Sequence, residues 1–430
     1  MLFGILNRMI FWELVRVFAL SVTGLTGLFL VVGIIQQATQ YGLSPQQLTG
    51  IVPLLVPSLL PYTIPATMLF ATCVVYGRLA HDNEAVALKA AGVDLLTMIR
   101  PAFLLGSLAA AGTAALQFAV IPNTQRMIQE EAIRDPEETL YNLLKRERCF
   151  RAPNMPYVLY VRDVQDRRLL DVVVKRRTSK VTASSDEAFD YVARTREAEL
   201  KIDLVANTLK VDSDQWVINA PTARLHSQDN KPFEIALPNS LRKDKLLESL
   251  RDRSQTIEWD LLPGRADEYA AESDKAMHYR NVLLEAKPGQ ILAPAEQDQI
   301  ARDHGMDAAQ IPADPQARAK QAGYYADAAK YHRHTSRTML WEYYSRPALA
   351  MGCLLFGLIG CPMGLWASRA DYLSIFVICW LPAVATYYPL VMSGGGLARD
   401  GKVPVPVGVW AANAVAAVAA VLLMWRLIRR

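Results

Sequence analysis

Apolar residues in this chain run in long charge-free windows toward its two ends and in short alternating runs through its middle. From residue 17 to residue 77 no side chain is charged over 61 positions. Gln36, Gln37, Gln40 and the polar stretch 44–49 interrupt that run, so it reads as two spans joined by a short uncharged loop. Further charge-free windows cover 101–125, 347–368, 372–398 and 403–425. A bilayer crossing takes about 20 apolar residues, so the pattern predicts six spans, three before a long polar insert and three after it. A cleaved signal peptide is the competing reading of the first span. Against it, the apolar run 17–35 exceeds the usual core of about 7–15 residues, and no Ala-x-Ala site follows.

In the insert the period changes. Strand-length runs at 157–162, 169–175, 198–204, 208–212, 216–219 and 233–237 mix alternating and apolar patterns between Asn, Asp, Pro and Ser clusters. They predict an antiparallel all-β module of the sandwich, jelly-roll or barrel type. From about 263 to 334 the chain turns polar and Ala-rich, with Pro288, Pro294, Pro312 and Pro315 as breakers, which predicts short amphipathic helices and linkers. The expected organisation is 1–122 for spans one to three, 123–262 for the β domain, 263–338 for a polar helical extension and 339–430 for spans four to six.

Charge confirms the division. Averages of 52% hydrophobic and 20% charged describe a soluble protein of two or three domains. Residues 1–122 and 339–430 together hold only 12 Lys/Arg and 7 Asp/Glu, whereas 123–338 hold 34 and 35. That split excludes one uniform globular body and leaves an α-helical polytopic membrane protein with an aqueous insert. Cations near the span ends set the orientation. With a cytoplasmic N-terminus, nine fall inside (Arg8, Arg16, Arg78, Lys89, Arg100, Arg369, Arg426, Arg429, Arg430) and three outside (Arg346, Arg399, Lys402). Both termini are therefore expected in the cytoplasm and the insert outside. Four of the five cysteines fall in predicted spans, leaving Cys149 alone in the insert without an intrachain partner there.

The chemistry of the common enzyme classes is absent from the sequence. There is no phosphate loop, no Gly-x-Ser-x-Gly elbow and no His-Glu-x-x-His pair. The predicted spans carry no Asp, Glu or Lys suited to an ion relay, so energy for any transport must come from another subunit. No cofactor and no metal site is expected. His332 and His334, two apart, point to different sides of a helix and read as part of a solvated basic segment.

Three features carry more specific expectations. Pro53, Pro57, Pro61 and Pro65 recur every four residues, and each removes a backbone donor. An irregular second span is expected, either a kinked interfacial segment or a gate. Between spans two and three, Asp82 or Asn83 is placed to cap a helix, with Glu84 in its first turn, Lys89 near its end and Gly92 as its stop. Val86, Ala90 and Val93 would share one face. About nine residues are too few for a helix alone in water, so it rests on the membrane surface or on a partner. Both a connector and a receiver of force from an ATPase fit. In the fourth span Gly352, Gly357, Gly360 and Gly364 thin one surface, and Gly360-x-x-x-Gly364 permits close helix packing.

These residues resemble those of the LptF/LptG (YjgP/YjgQ) family, the permease subunits of the lipopolysaccharide export ABC transporter. The resemblance rests on Gly77-Arg78-Leu79 followed by Asp82, Glu84, Ala87, Ala90 and Gly92, similar to the family's cytoplasmic coupling helix, here 82–92. It rests also on Arg346-Pro347 leading into the Gly-rich stretch 355–365, and on three-plus-three spans around a β domain. The segment 263–334 is longer than the resemblance leads one to expect.

The resemblance implies a bacterial inner-membrane permease without its own ATPase motif. Its partners would be a cytoplasmic ABC ATPase dimer of the LptB type, a second LptF/LptG-type permease, a single-span periplasmic jelly-roll partner of the LptC type and a periplasmic bridge protein. No nucleic acid is implied. Lipopolysaccharide would enter a cavity laterally and be pushed into a periplasmic β-jelly roll. Arg78, Asp82, Glu84, Ala87 and Gly92 would form the ATPase-coupling element, with Glu84 in the ATPase groove. In one departure from the family's pattern, the first span has no basic residue at its outer end, where Gln36 and Gln37 sit. A cationic contact to lipid phosphates would come instead from Arg399 and Lys402. The same architecture also suits a permease for another lipid or lipoprotein, and a membrane-anchored scaffold or sensor is the reading from a different class. A scaffold has no need of Glu84.

Overall fold

The computed structural model describes residues 4–41, 45–134, 136–151, 157–165, 167–177, 189–203, 208–213, 215–220, 223–227, 233–236, 253–366, 374, 377 and 381–429. They form two compact units, one of Met1–Leu25, Leu60–Val120 and Ile257–Arg430, the other of Thr26–Leu59 and Ile121–Thr256.

Helix α1 (Ile5–Tyr41) is followed by α2 (Pro45–His81), the short α3 (Glu84–Ala90) and α4 (Leu95–Ala115), which runs through a π-helical turn at Leu116–Val120. The first unit resumes with α7 (Leu262–Glu285), α8 (Pro294–His304), α9 (Pro315–Trp366), α10 (Leu381–Arg399) and α11 (Val405–Arg429). Five described helices are long and apolar enough to cross a membrane: Ile5–Gln36, Val52–His81, Leu95–Met127, Pro315–Trp366 and Val405–Arg429. The window expected for the fifth span, 372–398, lies partly outside the described residues, and α10 covers its second half.

Apolar side chains of these helices pack together in two cores. Ile10 and Leu14 of α1, Met68, Val75, Tyr76 and Leu79 of α2, and Met98, Ile99 and Ala102 of α4 share one core with Cys361 of α9 and Leu427 of α11. A second core joins Leu69 and Cys73 of α2 to Phe356 and Ile359 of α9, Tyr387 of α10 and Ala412, Ala416 and Ala420 of α11. Where α10 crosses α11, Gly394 lies directly against the Gly408 carbonyl, and a Cβ on Gly408 would sit 2.6 Å from the Gly394 oxygen. Several buried polar groups among these helices are paired. Tyr76 donates to the Met98 carbonyl at 2.7 Å. Tyr387 donates to Asn413 Oδ1 at 2.8 Å, and Asn413 Nδ2 donates to the Ala348 carbonyl at 2.8 Å.

The four prolines do not end the second span, for α2 is one continuous helix through all of them. Four-residue spacing accounts for this: the carbonyls released by Pro57, Pro61 and Pro65 belong to Pro53, Pro57 and Pro61, so the loss stays on one stripe while the other stripes keep their ladder.

Helix α9 is longer than the sequence suggested: it runs for 52 residues across the position expected to divide extension from span. Asp314 caps it, accepting from the Ala317 N–H at 2.8 Å. The interior Pro347 releases the carbonyl of Tyr343, four residues earlier. Trp259 Nε1 donates to that carbonyl at 3.0 Å, and its indole stacks on the Tyr343 ring at 4.7 Å. Beside it the wholly buried Arg346 donates through Nη2 to the Ile257 carbonyl at 3.1 Å and through Nε to Glu342 at 3.3 Å. The segment 257–261 is thereby clamped to α9.

Beyond that clamp, α7 packs antiparallel on α9, with Ser273 donating to the Ala329 carbonyl at 2.9 Å. Val282, Leu283, Leu292, Met306, Ile311 and Ala322 form a separate small core at the far end. Buried Arg318 fixes that end by donating to the carbonyls of Pro312, Ala313, Lys287 and Gln290. Lys287 and the Ala293 N–H hold the Glu296 carboxyl below its usual range. Pro294 and Pro315 open helices, as expected of breakers at the first turn. His332 lies 3.1 Å from Glu272, and no group of metal-ligating side chains occurs among the described residues.

In the second unit, α5 (Ile121–Arg134) and α6 (Pro136–Glu147) precede nine strands among the described residues: β1 (Cys149–Arg151), β2 (Tyr157–Tyr160), β3 (Asp163–Gln165), β4 (Arg168–Arg177), β5 (Phe189–Asp203), β6 (Thr208–Asp212), β7 (Trp216–Ala220), β8 (Ala223–Ser227) and β9 (Phe233–Ala236). All pairings are antiparallel, in the order β1-β2-β4-β5-β6-β9, with β3 on β4, and β7 joining β5 to β8. The 15-residue β5 is the spine, pairing β4 along one edge and β7 and then β6 along the other. Leu169, Val172, Val174, Ala193, Leu200, Leu209 and Val211 share the buried core, the alternation changing phase within β4 at the positive-φ Asp171 and again within β5, and α6 adds Leu140, Tyr141 and Leu144. The Tyr141 hydroxyl accepts from the Leu200 N–H and donates to the Arg167 carbonyl, both at 2.7 Å. Burial pushes its phenol upward. None of the four described cysteines, Cys149 included, is in a disulfide.

Replacing Trp259 with Phe removes the donor to the Tyr343 carbonyl and is expected to cost about 1–3 kcal/mol. In a Pro347→Ala background the restored N–H can serve that carbonyl, so the same replacement should cost less than half as much. Thermal unfolding of the four proteins in one detergent checks this double-mutant cycle, and equal costs in both backgrounds would contradict it.

Candidate functional site

The turn between α2 and α4 is built by local backbone chemistry. At the end of α2 the Asp82 N–H bonds the Arg78 carbonyl at 2.9 Å and the Asn83 N–H bonds the Ala80 carbonyl at 3.2 Å. Asn83 then takes a left-handed conformation, φ 59°, and occupies the N-cap of α3. The sequence favours a side-chain cap from Asp82 or Asn83, but no such bond forms. The left-handed backbone replaces the extended one from which a capping side chain reaches back. Glu84 stands exposed in the first turn and Lys89 exposed in the last.

Helix α3 ends in a Schellman turn. The Val93 N–H bonds the Leu88 carbonyl and the Gly92 N–H bonds the Lys89 carbonyl, both at 3.0 Å. Gly92 carries φ +80°, which a residue with a Cβ reaches only under strain, so it is the stop that the sequence suggests. The same turn corrects the expected face. Reversal at Gly92 folds Val93 back against Leu88, and both pack on the helical core with buried Ala85. Val86, 63% exposed, and Ala90 lie outside. The free surface is therefore Asp82, Asn83, Glu84, Val86, Ala87 and Ala90, anchored from beneath by Ala85, Leu88 and Val93.

Arg78 does not face that surface alone, for its guanidinium pairs with the carboxylate of Glu13 on α1. Sequence reasoning missed Glu13. The available signal was scarcity, since it is one of only four acids in residues 1–122.

The residues expected to meet lipid fall in different units. Gln36 is exposed near the end of α1, in the unit containing Thr26–Leu59, and the Gln37 side chain lies outside the described residues. Arg399 and Lys402 close α10 in the other unit. The Arg399 guanidinium stacks over the Trp341 ring at 4.9 Å and donates to the Gly395 carbonyl at 3.2 Å. A second Schellman turn, with Lys402 N–H to Leu397 carbonyl and Gly401 N–H to Ala398 carbonyl, exposes Lys402. Gly401 lies so close to Arg337 that a Cβ would overlap the guanidinium. Arg337 and Trp341, four apart on α9, thus join Arg399 and Lys402 in one cationic, aromatic cluster that the sequence reading had only in part.

Gly360 and Gly364 of α9 bring its backbone against that of α2. A Cβ on Gly364 would lie 2.7 Å from the Cys73 carbonyl oxygen and 2.9 Å from the Gly77 nitrogen. One on Gly360 would strike the Thr72 side chain and approach the Leu69 carbonyl to 3.0 Å, whereas one on Gly357 meets only the flexible end of Met68, at 3.0 Å. This close packing seats the lower end of α2, from which Arg78 and α3 follow.

A family model described as lipopolysaccharide export system permease LptF/LptG matches residues 8–426. No curated protein matches the chain significantly.

Gly364→Ala should destabilise the detergent-solubilised protein by about 1–3 kcal/mol through overpacking, and Gly357→Ala by well under half of that. Paired thermal melts test the ordering, and the reverse order would refute the contact assignment.

Proposed function

The chain belongs to the LptF/LptG family of lipopolysaccharide export permeases, and on that premise we propose that it couples a separate ATPase to extraction of lipopolysaccharide from the inner membrane. Membership and five apolar helices make it a multi-pass membrane component of a multi-subunit export system, not an enzyme in its own right. The finer reading has six spans, with both termini cytoplasmic, in keeping with nine span-end cations against three. The antiparallel sheet is then a periplasmic jelly roll that receives lipid drawn laterally from the outer leaflet. It would hand the lipid to an LptC-type partner and a bridge protein. A second permease of the same kind completes the cavity, and an LptB-type ATPase dimer lies beneath it.

The observation that carries this reading is α3. A seven-residue helix that docks through Ala85, Leu88 and Val93 while exposing Glu84, Val86 and Ala87 is rigid on one side and open on the other. A plain connector needs no such presentation. The exposed carboxylate at the helix start suits a cationic groove, and the exposed Val86 adds an apolar contact beside it. Arg399, Lys402 and Arg337 offer positive charge to lipid phosphate.

Gently solubilised wild-type protein is expected to co-purify with a small ATPase and a second permease, identified by mass spectrometry. Glu84→Lys should release the ATPase at least tenfold while the variant elutes and melts as the wild type does. Absence of any ATPase from the wild-type preparation sinks the reading.

A further inference from the structure

Of the five apolar helices, α1 is the least held by its own chain. In its most apolar stretch 6% is buried, against 28–67% in the other four. Leu20, Leu28, Phe29, Val31, Val32 and Ile35 all stand exposed. Its attachment to the core that carries α3 is confined to the first turns, where Asn7, Ile10 and Leu14 are buried and Leu6, Phe11, Val15 and Phe18 pack on that core, while farther along Leu30 and Ile34 pack on Leu54 and Leu55 of α2. That core is also the seat of Ala85, Leu88 and Val93, so the start of α1 and the exposed helix α3 share one foundation. At the joint sits the Glu13–Arg78 ion pair, with Glu13 only 18% exposed and Arg78 42%. Arg78 lies in the last turn of α2, and its carbonyl accepts the Asp82 N–H that begins the turn into α3.

Apolar contacts among Ile10, Leu14 and Leu79 resist separation but permit sliding, since dispersion has no direction. A charge-assisted pair fixes rotation and register as well. We propose that Glu13 is a positioning residue that locks α1 to the α2–α3 turn, so that force applied at α3 turns α1 with it. The inference rests on the coupling role of α3. It assigns to Glu13 no contact with nucleotide, ATPase or lipid. Without the pair, α3 would still bind its partner, but displacement of α3 would slip past α1 instead of carrying it.

The test uses the complete complex in proteoliposomes, with lipopolysaccharide as the probe, and measures both ATP hydrolysis and lipid transferred. Glu13→Gln, nearly isosteric, should lower lipid moved per ATP about fivefold or more, while ATPase recovery stays within twofold of wild type. Glu13→Asp should retain most of the ratio. The reversal Glu13→Arg with Arg78→Glu should recover at least half of it, against little for either single reversal. A Glu13→Gln complex with a wild-type ratio overturns the proposal, as does a double reversal no better than the singles. If the wild-type complex holds no ATPase or moves no lipid, the transport reading fails instead, which separates the two.

Discussion

In apolar surroundings a backbone carbonyl or N–H must find a partner within the protein, because no water is there to supply one. Much of this architecture answers that constraint. Pro347 interrupts the ladder of α9, and the freed Tyr343 carbonyl is met by the indole of Trp259, which arrives on the segment leading into α7. Arg346, wholly buried one residue away, takes the Ile257 carbonyl of the same segment and the carboxylate of Glu342. A proline that weakens one helix thus becomes the reason a second element docks there. Thr67 and Thr72 of α2 bond carbonyls one turn back. Tyr387 and Asn413 close a chain of bonds ending on the Ala348 carbonyl.

The second constraint is distance. Without a strong hydrophobic drive between helices in lipid, association relies on close backbone approach. Gly360 and Gly364 bring α9 onto α2, and Gly394 and Gly408 bring α10 onto α11. Positive-φ glycines do different work, ending helices in the same Schellman geometry at Gly92 and Gly401. Each stop leaves charged residues displayed beside a fixed turn: Glu84 with Lys89 in one case, Arg399 with Lys402 in the other.

Local pattern made part of this legible in advance. Charge-free windows located the apolar helices, alternation located most strands, and Gly92 marked the end of α3, because each of these is decided within a few residues. The stretch 189–197 of β5 was missed: its polar residues Arg194, Arg196 and Glu197 mask the alternation that buries Ala193. Partnerships across long loops were not legible. Glu13 with Arg78 and Trp259 with Tyr343 depend on helix packing that no short window encodes. The prolines of α2 do not end the helix, because four in register confine their lost hydrogen bonds to a single stripe. Val93 was placed on the wrong face because helical phase was carried past a residue that reverses the chain.

Helix α9 leads from a small core held by Arg318 down to the glycines that touch α2 as one helix. A rod of 52 residues is about 78 Å long, and each residue turns it by roughly 100°. A single-residue insertion or deletion above Arg337 would therefore either rotate the cluster at Trp341 away from Arg399 or push the error into the tip. Compensation would require a matching change in α7, which is paired to it side by side. The extension can thus drift freely in surface composition while its length is quantised, with tolerated changes arriving as whole turns in both helices at once.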